Sequence, residues 1–274
     1  MTTATILWPA SLVLAGAGKM GGAMLRGWLS LGMPGERITL VDPHISDDMH
    51  ALASEHGLHV NPSNPTAPDV LVLAVKPQML EEAADTLARH VGPDTLVVSI
   101  LAGKTIGDLR ARLPAKAVVR AMPNTPAAVG RGITGAAASS GATAQQQELA
   151  RSLLGAVGQV VWLDDEGLID AVTAVSGSGP AYVFYLVECM AKAGEAAGLP
   201  ASLAMQLARA TVEGAGELMF RDSSTDADQL RVNVTSPGGT TAAALDVLMA
   251  ADGLGPLMDR AIQAAKQRAG DLSG

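Results

Sequence analysis

The sequence predicts two regions of different class: an α/β domain built on a doubly wound parallel sheet, followed by an all-α domain. Over the first 164 residues, short uninterrupted apolar runs alternate with amphipathic helices. Such runs are typical of parallel strands that helices cover on both faces. From residue 165 onward the strand-like runs stop and helix follows helix. We therefore expect a first domain at residues 1–164 and a second at residues 165–274.

The elements of the first domain are predicted in regular alternation. Strands are expected at Leu12–Ala15, Ile38–Val41, Val70–Val75, Leu96–Ile100, Val118–Ala121 and Val160–Leu163. Helices are expected at Met20–Leu31, Asp47–Glu55, Glu81–His90, Ile106–Leu113 and Thr143–Val157. In the second domain, turn residues such as Gly198-Leu199-Pro200 and Asp252-Gly253 separate the helical segments. Those helices are expected near residues 166–175, 179–197, 201–221, 225–232, 240–251 and 254–270.

The composition is that of a folded chain whose core is built from small residues. Hydrophobic residues make up 48% and charged residues 17%, which excludes a disordered chain, but aromatics are only 3%. The second domain carries alanine-rich helical stretches at 191–198 and 206–216, where another helix could approach closely. Because obligate interfaces are the more apolar class, these stretches favour a homodimer or a larger homo-oligomer over a lone bundle.

Charge and cysteine content exclude several kinds of protein. The net charge is −8, and residues 165–274 hold seven basic and fourteen acidic side chains, which argues against a nucleic-acid partner. The uncharged stretches at 1–18 and 171–187 are too short and too interrupted to span a membrane, and no basic residues open a secretory signal. A single cysteine, Cys189, excludes a disulfide framework and a cysteine-based zinc site. We expect a cytoplasmic protein with no metal site and no membrane partner.

A glycine turn follows the first predicted strand. Its residues are Gly16, Ala17, Gly18, Lys19, Met20 and Gly21, and they open a helix, which is the context that the dinucleotide-binding pattern G-x-G-x-x-G requires. Gly16 would permit the tight turn, Gly18 the approach of a pyrophosphate, and Gly21 the close packing of helix on strand. The helix N-terminus then offers free N–H groups to the phosphates. The alternative is a turn that only packs.

The end of the second strand bears on the choice of cofactor. Asp42 lies where a carboxylate would meet the ribose 2′-hydroxyl, and no arginine stands beside it for a 2′-phosphate. This favours NADH over NADPH, although His44 could still meet a phosphate. The alternative is that Asp42 only caps the turn at Pro43.

Two further strand ends should face the cofactor, since ligands lie outside the carboxyl ends of parallel strands. The first is the segment Ala74, Val75, Lys76 and Pro77, and the second is the segment that ends near Gly103. Lys76 is the charged residue of the first segment and would lie near a phosphate or the ribose. A solvated lysine is the alternative.

Three segments carry a resemblance to a known family. They are Arg120–Pro126 (RAMPNTP), Ser176–Tyr182 (SGSGPAY) and Val234–Thr241 (VTSPGGTT). With the glycine turn and Val75-Lys76-Pro77, the chain resembles pyrroline-5-carboxylate reductases from about residue 12 to residue 272. The resemblance implies hydride transfer from NADH or NADPH to the C=N bond of 1-pyrroline-5-carboxylate, giving L-proline. It also implies a Rossmann domain with a helical domain that dimerises by interleaving, often further assembled into decamers.

The resemblance also assigns site residues. It places the cofactor on the glycine turn, on the 74–77 segment, on Ala102 and on Asn61. It places the substrate on Asn233, Val234, Ser236, Gly239, Thr240 and Thr241. The chain departs from the family pattern at Asp42-Pro43, where NADPH-using members tend to carry small polar or basic residues. It departs again at Val232, where a polar residue would be expected.

The residues of the last segment suit the implied chemistry on their own. Hydroxyls, two glycines and the free N–H groups of a helix start at Ser236–Thr241 could bind a carboxylate without a basic residue. An ordinary capped helix is the alternative. All five histidines lie in the first domain, so we expect no histidine acid at the substrate. A cyclic imine can carry its own proton, and Thr241 is the candidate catalytic residue that would hydrogen-bond the ring nitrogen. Catalysis would then be mainly positioning.

Two other functions remain to be separated from this one. A β-hydroxyacid dehydrogenase would share the glycine turn and a helical second domain, but it would place a lysine shortly after the second glycine turn. Here the next lysine after Ser176–Pro180 is Lys192. A non-catalytic NAD(P)-sensing protein would keep the first glycine turn, yet it would have no reason to keep two glycine-rich turns in the helical domain.

Overall fold

The computed structural model describes residues 6–273, so the outer limits of the two predicted domains, residues 1–5 and 274, lie outside it. Contacts divide the chain into two compact units. The sheet unit contains the chain up to Gly177 together with the segment from Lys266 onward, and the helical unit is Ser178–Ala265. The predicted domain boundary at 164/165 marks where strand-like segments give way to helices. The two units are instead defined by which residues are in contact, and they divide the chain after Gly177 and before Lys266.

The sheet unit is built on eight strands among the described residues. They are β1 (Leu12–Ala15), β2 (Ile38–Val41), β3 (His59–Val60), β4 (Val70–Leu73), β5 (Leu96–Ser99), β6 (Ala117–Met122), β7 (Gly132–Ala138) and β8 (Gly158–Trp162). Their order is β3-β2-β1-β4-β5-β6-β7-β8. All neighbours from β3 to β6 are parallel, β7 runs antiparallel to β6, and β8 is parallel to β7.

Helices cover both faces of this sheet. They are α1 (Lys19–Ser30), α2 (Asp47–His56), α3 (Leu80–Ala88), α4 (Ile106–Arg112), α5 (Ala144–Gly155) and α6 (Ile169–Val172), and a π-helical turn at Thr173–Gly177 follows α6. Alternate residues of β1 belong to separate cores. Leu12 and Leu14 pack with Trp28 of α1, whereas Val13 and Ala15 pack with Leu80 of α3. The predicted doubly wound fold is confirmed.

The sheet departs from the prediction at two strands. β3 has only two residues, and β7 is a glycine- and alanine-rich segment, GITGAAA, in which five of the seven residues are of types depleted in strands. Neither gives a local strand signal. β7 forms because its backbone pairs with β6 on one side and β8 on the other. The sheet is therefore parallel through six strands and mixed at its far edge.

The helical unit contains α7 (Gly179–Ala196), α8 (Ala201–Arg221), α9 (Ala227–Asn233) and α10 (Thr240–Leu248), and α11 (Leu254–Ser273) runs on into the segment from Lys266. Small residues let α7 and α8 approach closely. A Cβ added to Gly194 would lie 3.2 Å from the Cβ of Ala204. Ala191 and Ala208 are also buried. Ala191 and Ala208 thus serve helix–helix packing within the unit, whereas the other alanines of the two stretches are exposed.

Much of α7 is nevertheless exposed. The four consecutive residues Val183, Phe184, Tyr185 and Leu186 are 43%, 64%, 63% and 44% exposed. Four successive residues cover most of the circumference of a helix, since each turn has 3.6 residues. A helix that is apolar all round is one that proteins bury. Its exposure marks an interaction surface.

No helix within residues 6–273 has both the length and the continuous apolar character that crossing a membrane requires.

Candidate active site

The glycine turn connects β1 to α1 with the geometry expected of a dinucleotide site. Gly16 has φ +97°, a conformation that side-chain-bearing residues rarely adopt, and a Cβ there would lie 2.7 Å from the carbonyl of Ala74. A Cβ on Gly21 would collide with the carbonyl oxygen of Gly16. At Gly18, by contrast, an added Cβ would have no described atom within 4 Å. The first and third glycines are needed for packing, while the second faces open space.

The N-terminus of α1 leaves its N–H groups available. In α2, α4 and α5, the N-cap side chains of Ser46, Thr105 and Thr143 each accept a hydrogen bond from the first turn. The N-cap of α1 is Gly18, and no side chain of the described residues caps it. Because the first turn of a helix has N–H groups without intrahelical partners, this end can bind an anion.

Asp42 stands at the end of β2, directly beside the glycine turn. The backbone N–H of Ala17 donates to its Oδ2 over 2.8 Å, and the N–H of His44 donates to its Oδ1 over 2.8 Å. The turn and the carboxylate are therefore fixed to each other.

Asn61, which the resemblance added to the site, holds Asp42 from the other side. Its Oδ1 accepts from the backbone N–H of Asp42 over 3.0 Å, and its Nδ2 donates to the carbonyl oxygen of Asp42 over 2.8 Å. Asn61 adopts φ +44°, a left-handed conformation that asparagine tolerates better than most residues. In this structure its role is to orient Asp42.

A cavity of about 860 Å³ opens at the turn. Of the predicted cofactor residues, it is lined by Ala17, Gly18, Lys19 and Asp42. Its wall also carries His44, the candidate phosphate partner, together with Arg26 and Asp48, which the sequence did not single out, and small residues of α1. Asn61, the 74–77 segment and Ala102 are not part of its lining.

The other predicted cofactor segments share the edge of the sheet with the turn. Ala15 pairs with Leu73 and Leu73 with Ser99, so β1, β4 and β5 end at the same level. Ala74 to Pro77 and Ala102 follow directly, with Lys76 and Ala102 exposed and Val75 half-buried. Met20 is half-buried at the start of α1. The sheet thus aligns every predicted cofactor segment along one edge.

The predicted substrate residues form one continuous stretch in the helical unit. Asn233 ends α9 and its Oδ1 accepts from Nε2 of Gln229 over 2.7 Å. The turn that follows is closed by the N–H of Gly239 donating to the carbonyl of Ser236 over 3.0 Å, with Gly238 at φ +67°. Val234 and Ser236 are exposed, as is Thr240 at the start of α10, whereas Gly239 and Thr241 are half-buried.

The N-terminus of α10 resembles that of α1. Its N-cap is again a glycine, Gly239, and no described side chain caps it. The first-turn N–H groups and the hydroxyls of Thr240 and Thr241 are therefore available to a small anion without any basic side chain.

Sequence reasoning missed one polar cluster of the sheet unit. Arg120 is 3% exposed, and its Nη1 donates to Oε1 of Glu166 over 3.0 Å, while Asp170 Oδ1 lies 3.8 Å from its Nη2. An arginine inside the apolar strand sequence AVVRAM is a signal that could have predicted a buried ion pair. Among the described residues, no group of three or more histidine, cysteine, aspartate or glutamate side chains is placed to hold a metal ion.

Two family models match the chain. One is described as "Pyrroline-5-carboxylate reductase dimerisation" and matches residues 166–272, and the other as "NADP oxidoreductase coenzyme F420-dependent" and matches residues 11–103. The second match supports a nicotinamide cofactor on the sheet unit. The first supports homo-oligomerisation through the helical region, in line with the exposed apolar surface of α7.

Named relatives match over nearly the whole length. The pyrroline-5-carboxylate reductase of Pseudomonas aeruginosa is 41% identical over 266 residues, which is 96% of both chains. That of Haemophilus influenzae is 37% identical, over 95% of this chain and 97% of the relative. That of Pisum sativum is 38% identical over 94% of both.

Solved structures agree. A pyrroline-5-carboxylate reductase from Coxiella burnetii superposes with a TM-score of 0.87 at 35% identity, covering 97% of this chain and 99% of that one. The Plasmodium falciparum pyrroline carboxylate reductase with NADP bound gives a TM-score of 0.79 at 27% identity, covering 97% and 98%. The glycine turn, the open helix start at Gly239 and these full-length matches together establish that the chain belongs to the pyrroline-5-carboxylate reductase family.

Proposed function

We propose that this protein reduces the C=N bond of 1-pyrroline-5-carboxylate with NADH or NADPH and releases L-proline, the final step of proline synthesis. Membership of the family supports this activity. The observation that carries it in this chain is the segment from Asn233 to Thr241, which offers N–H groups and hydroxyls but no cation. That set of groups suits the carboxylate and the ring nitrogen of a small cyclic imino acid.

The sheet unit fits a dinucleotide. Gly18 leaves the space that a pyrophosphate needs, and the start of α1 supplies free N–H groups. Gly16 to Gly21 would hold the pyrophosphate, Asp42 and Asn61 the adenosine ribose, and the 74–77 segment with Ala102 the remaining half. When bound, the nicotinamide supplies the hydride.

The chain itself contributes binding and orientation. Ser236, Gly239, Thr240 and the α10 N-terminus would hold the carboxylate, and Asn233 and Val234 would border the ring. Holding the imine carbon against the nicotinamide supplies most of the rate enhancement that this reaction needs. The Thr241 hydroxyl would orient the ring nitrogen, and the imine would bring its own proton.

For the cofactor we propose a preference for NADH. The N–H groups of Ala17 and His44 hold the carboxylate of Asp42 in place, so it would not swing away from a 2′-phosphate bound beside it. Each carboxylate oxygen retains a lone pair for a ribose hydroxyl. A 2′-phosphate would stand beside a fixed negative charge, with His44 as its nearest partner in the loop.

For the assembly we propose a homodimer through the helical domain, with further association into a decamer. Phe184 and Tyr185, the most exposed residues of the apolar α7 surface, would be covered by the partner copy. We also propose that the protein acts in the cytoplasm and requires no nucleic acid or membrane.

One turnover experiment separates this function from its two rivals. NADH and NADPH oxidation is followed with 1-pyrroline-5-carboxylate at neutral pH, and proline is measured as the product. The same protein is offered NAD+ or NADP+ with short β-hydroxyacids. Proline formation supports the reductase, hydroxyacid oxidation alone would support a dehydrogenase, and dinucleotide binding without turnover would support a sensor.

A further inference from the structure

The loop between β5 and α4 faces the nicotinamide end of the cofactor site. Asp42 marks the adenosine ribose at the end of β2, and the glycine turn after β1 marks the pyrophosphate. β4 and β5 lie on the opposite side of β1 from β2. A dinucleotide laid along this edge therefore extends its nicotinamide half over the ends of β4 and β5, where Ala102 begins the loop.

The last turn of α11 packs directly against this loop. Gly103 has φ +69°, and a Cβ added there would lie 2.7 Å from the carbonyl oxygen of Leu272 and 3.3 Å from its Cβ. The backbones of the loop and the C-terminal turn are thus in contact, and only glycine permits it.

An ion cluster around the buried Arg120, with half-buried carboxylates, lies against that C-terminal turn. The hydroxyl of Ser273 lies 3.0 Å from the carbonyl oxygen of Ala269 and 3.4 Å from Oδ1 of Asp170, so its single proton is shared between these two acceptors. The same carboxylate oxygen lies 3.8 Å from Nη2 of the buried Arg120. Within the described residues, Nη2 of Arg120 has no hydrogen-bond partner, so Asp170 is its charge partner.

The same cluster holds the far end of the loop. The backbone N–H of Ile106, the first residue of α4, donates to Oε1 of Glu166 over 2.8 Å, and Arg120 donates to that oxygen as well. Because Arg120 is buried, moving Glu166 away would leave its charge less compensated, which favours the observed arrangement. The loop is therefore fixed at Gly103 by the C-terminal turn and at Ile106 by Glu166.

The geometry points to a C-terminal brace, formed by Leu272, Ser273 and Asp170, that positions the Ala102–Gly103 loop for the nicotinamide ring. These are positioning residues, because they act through the loop and not on the substrate. A displacement of the loop by a fraction of an ångström would shift the position in which the nicotinamide ring binds. The rate of a reaction falls steeply when the reactants are misplaced. The inference rests on the proposed function in one respect only: a dinucleotide must bind at the Gly16–Gly21 turn.

Two variants disturb the brace by different routes. Gly103→Ala drives a methyl group into the Leu272 carbonyl, and a chain ending after Ala269 removes Leu272 and Ser273. Gly57→Ala is the matched control, because Gly57 has the same φ of +69° but an added Cβ there would meet no described atom within 4 Å. The two alanine variants therefore share the backbone strain, and they differ in the contact with Leu272.

The measurement compares two kinds of ligand, complete dinucleotides and fragments without the nicotinamide ring, on wild type and on each variant. NADH and NADPH affinities are determined by fluorescence titration. The affinities of ADP-ribose and 2′-phospho-ADP-ribose, which lack the nicotinamide ring, are determined by calorimetry. We expect Gly103→Ala and the shortened chain to bind NAD(P)H about fivefold more weakly or worse. Both variants should bind the ring-free fragments within about twofold of wild type, and Gly57→Ala should match wild type for both ligands.

Equal weakening of both ligands would mean general damage to the sheet unit, and unchanged NAD(P)H binding would mean that the loop needs no brace. Either result overturns the inference. Neither measurement depends on imine reduction. The brace hypothesis can therefore be refuted without affecting the proposed reductase activity. Conversely, a wild type that binds NADH but produces no proline would end the proposed function and leave the brace intact.

Discussion

The carboxylate of Asp42 accepts a hydrogen bond from the backbone N–H of Ala17, inside the glycine turn, over 2.8 Å. One residue therefore has two effects on the cofactor: its charge bears on the 2′ position, and its oxygen fixes the turn at the pyrophosphate. If a substitution removed both the charge and the hydrogen bond to Ala17, a change in the preference between NADH and NADPH could not be told apart from a general loss of cofactor binding.

Replacement of Asp42 by asparagine separates the two effects. The amide oxygen can still accept from Ala17, while the negative charge is gone and the bond from the N–H of His44 is lost, because the amide nitrogen cannot accept it. We expect the ratio of kcat/KM for NADPH to that for NADH to rise about three- to tenfold. Two unit charges about 4 Å apart interact by about 1 kcal/mol in water, which corresponds to a change of this size. Steady-state kinetics with both cofactors gives the ratio.

Asp42→Ser combined with Pro43→Arg should move the ratio further, because arginine adds a partner for the 2′-phosphate. The absolute kcat/KM should fall for both cofactors, since serine no longer holds the turn as the carboxylate does. An unchanged ratio in both variants would show that Asp42 does not read the 2′ position.

The three glycines of the turn should respond differently to added side chains. Gly18→Val places its side chain in open space, so the free energy of unfolding should stay near that of wild type while the Kd for NAD(P)H rises at least about tenfold. Gly21→Val collides with the Gly16 carbonyl and should lower the melting temperature instead. Thermal unfolding and fluorescence titration on the same preparations distinguish the two. If Gly18→Val bound NAD(P)H with wild-type affinity, the pyrophosphate would not bind at this turn.

Local pattern was enough for six of the eight described strands and for the first half of the site. β2 has the predicted bounds Ile38–Val41, and the glycine turn lies between β1 and α1 as expected. These features depend on residues close together in the chain: an apolar run, or glycines at fixed spacing.

Pairings between distant segments could not be predicted in the same way. β7 forms only because β6 and β8 flank it, and its alanines give no sign of this alone. Asn61 and Asp42 are 19 residues apart, and Arg120 and Glu166 are 46 apart. The resemblance identified Asn61 as a site residue, but its hydrogen bonds to the Asp42 backbone could be identified only in the folded structure. The Arg120 cluster had no counterpart in the sequence reasoning at all.

Acid should weaken the start of α4, which follows the Ala102–Gly103 loop. Partial burial raises the pKa of Asp108, but hydrogen bonds from the backbone and hydroxyl of Thr105 outweigh it and hold that pKa below its ordinary value. A depressed carboxyl pKa contributes stability that is present above the unfolded pKa, about 3.9, and is lost as the pH falls through the lower folded value.

Asp108→Asn should therefore reduce stability at neutral pH by about 0.3–1 kcal/mol and flatten its dependence below about pH 4. Urea unfolding between pH 3 and 7 at fixed protein concentration measures this. Asp246→Asn, an exposed aspartate of α10, is the control and should follow the wild-type curve. If the free energy of unfolding depended on pH in the same way for Asp108→Asn and wild type, the lowered pKa would not belong to Asp108.

The exposed surface of α7 should govern assembly. Burying a phenylalanine contributes about 1.5–3 kcal/mol, and a symmetric dimer loses it twice. Phe184→Asp should therefore raise the dimer dissociation constant more than about a hundredfold. Sedimentation velocity over a concentration series reports this. Leu31→Asp, the same kind of change at an exposed leucine of the sheet unit, should leave the assembly unchanged. A dimeric Phe184→Asp variant would place the interface elsewhere.

Thr241 and Thr240 stand in the first turn of α10, and only one of them is proposed to touch the imine. If the Thr241 hydroxyl holds the ring nitrogen, Thr241→Ala removes one hydrogen bond to a group that carries charge. Such bonds contribute about 1.5–3 kcal/mol, which corresponds to about a ten- to hundredfold loss in kcat/KM. The Kd for NAD(P)H should barely change, because the contact lies on the substrate side.

Thr240→Ala is the internal control: if Thr240 mainly starts the helix while the N–H groups of α10 hold the carboxylate, its replacement should cost no more than a capping contact, about 1 kcal/mol. The half-burial of Thr241 against the exposure of Thr240 is in keeping with this difference. Steady-state kinetics with 1-pyrroline-5-carboxylate on both variants decides between them. Equal, small losses at the two positions would make Thr241 a structural residue, and orientation of the ring nitrogen would then fall to the backbone N–H groups of α10 or to water.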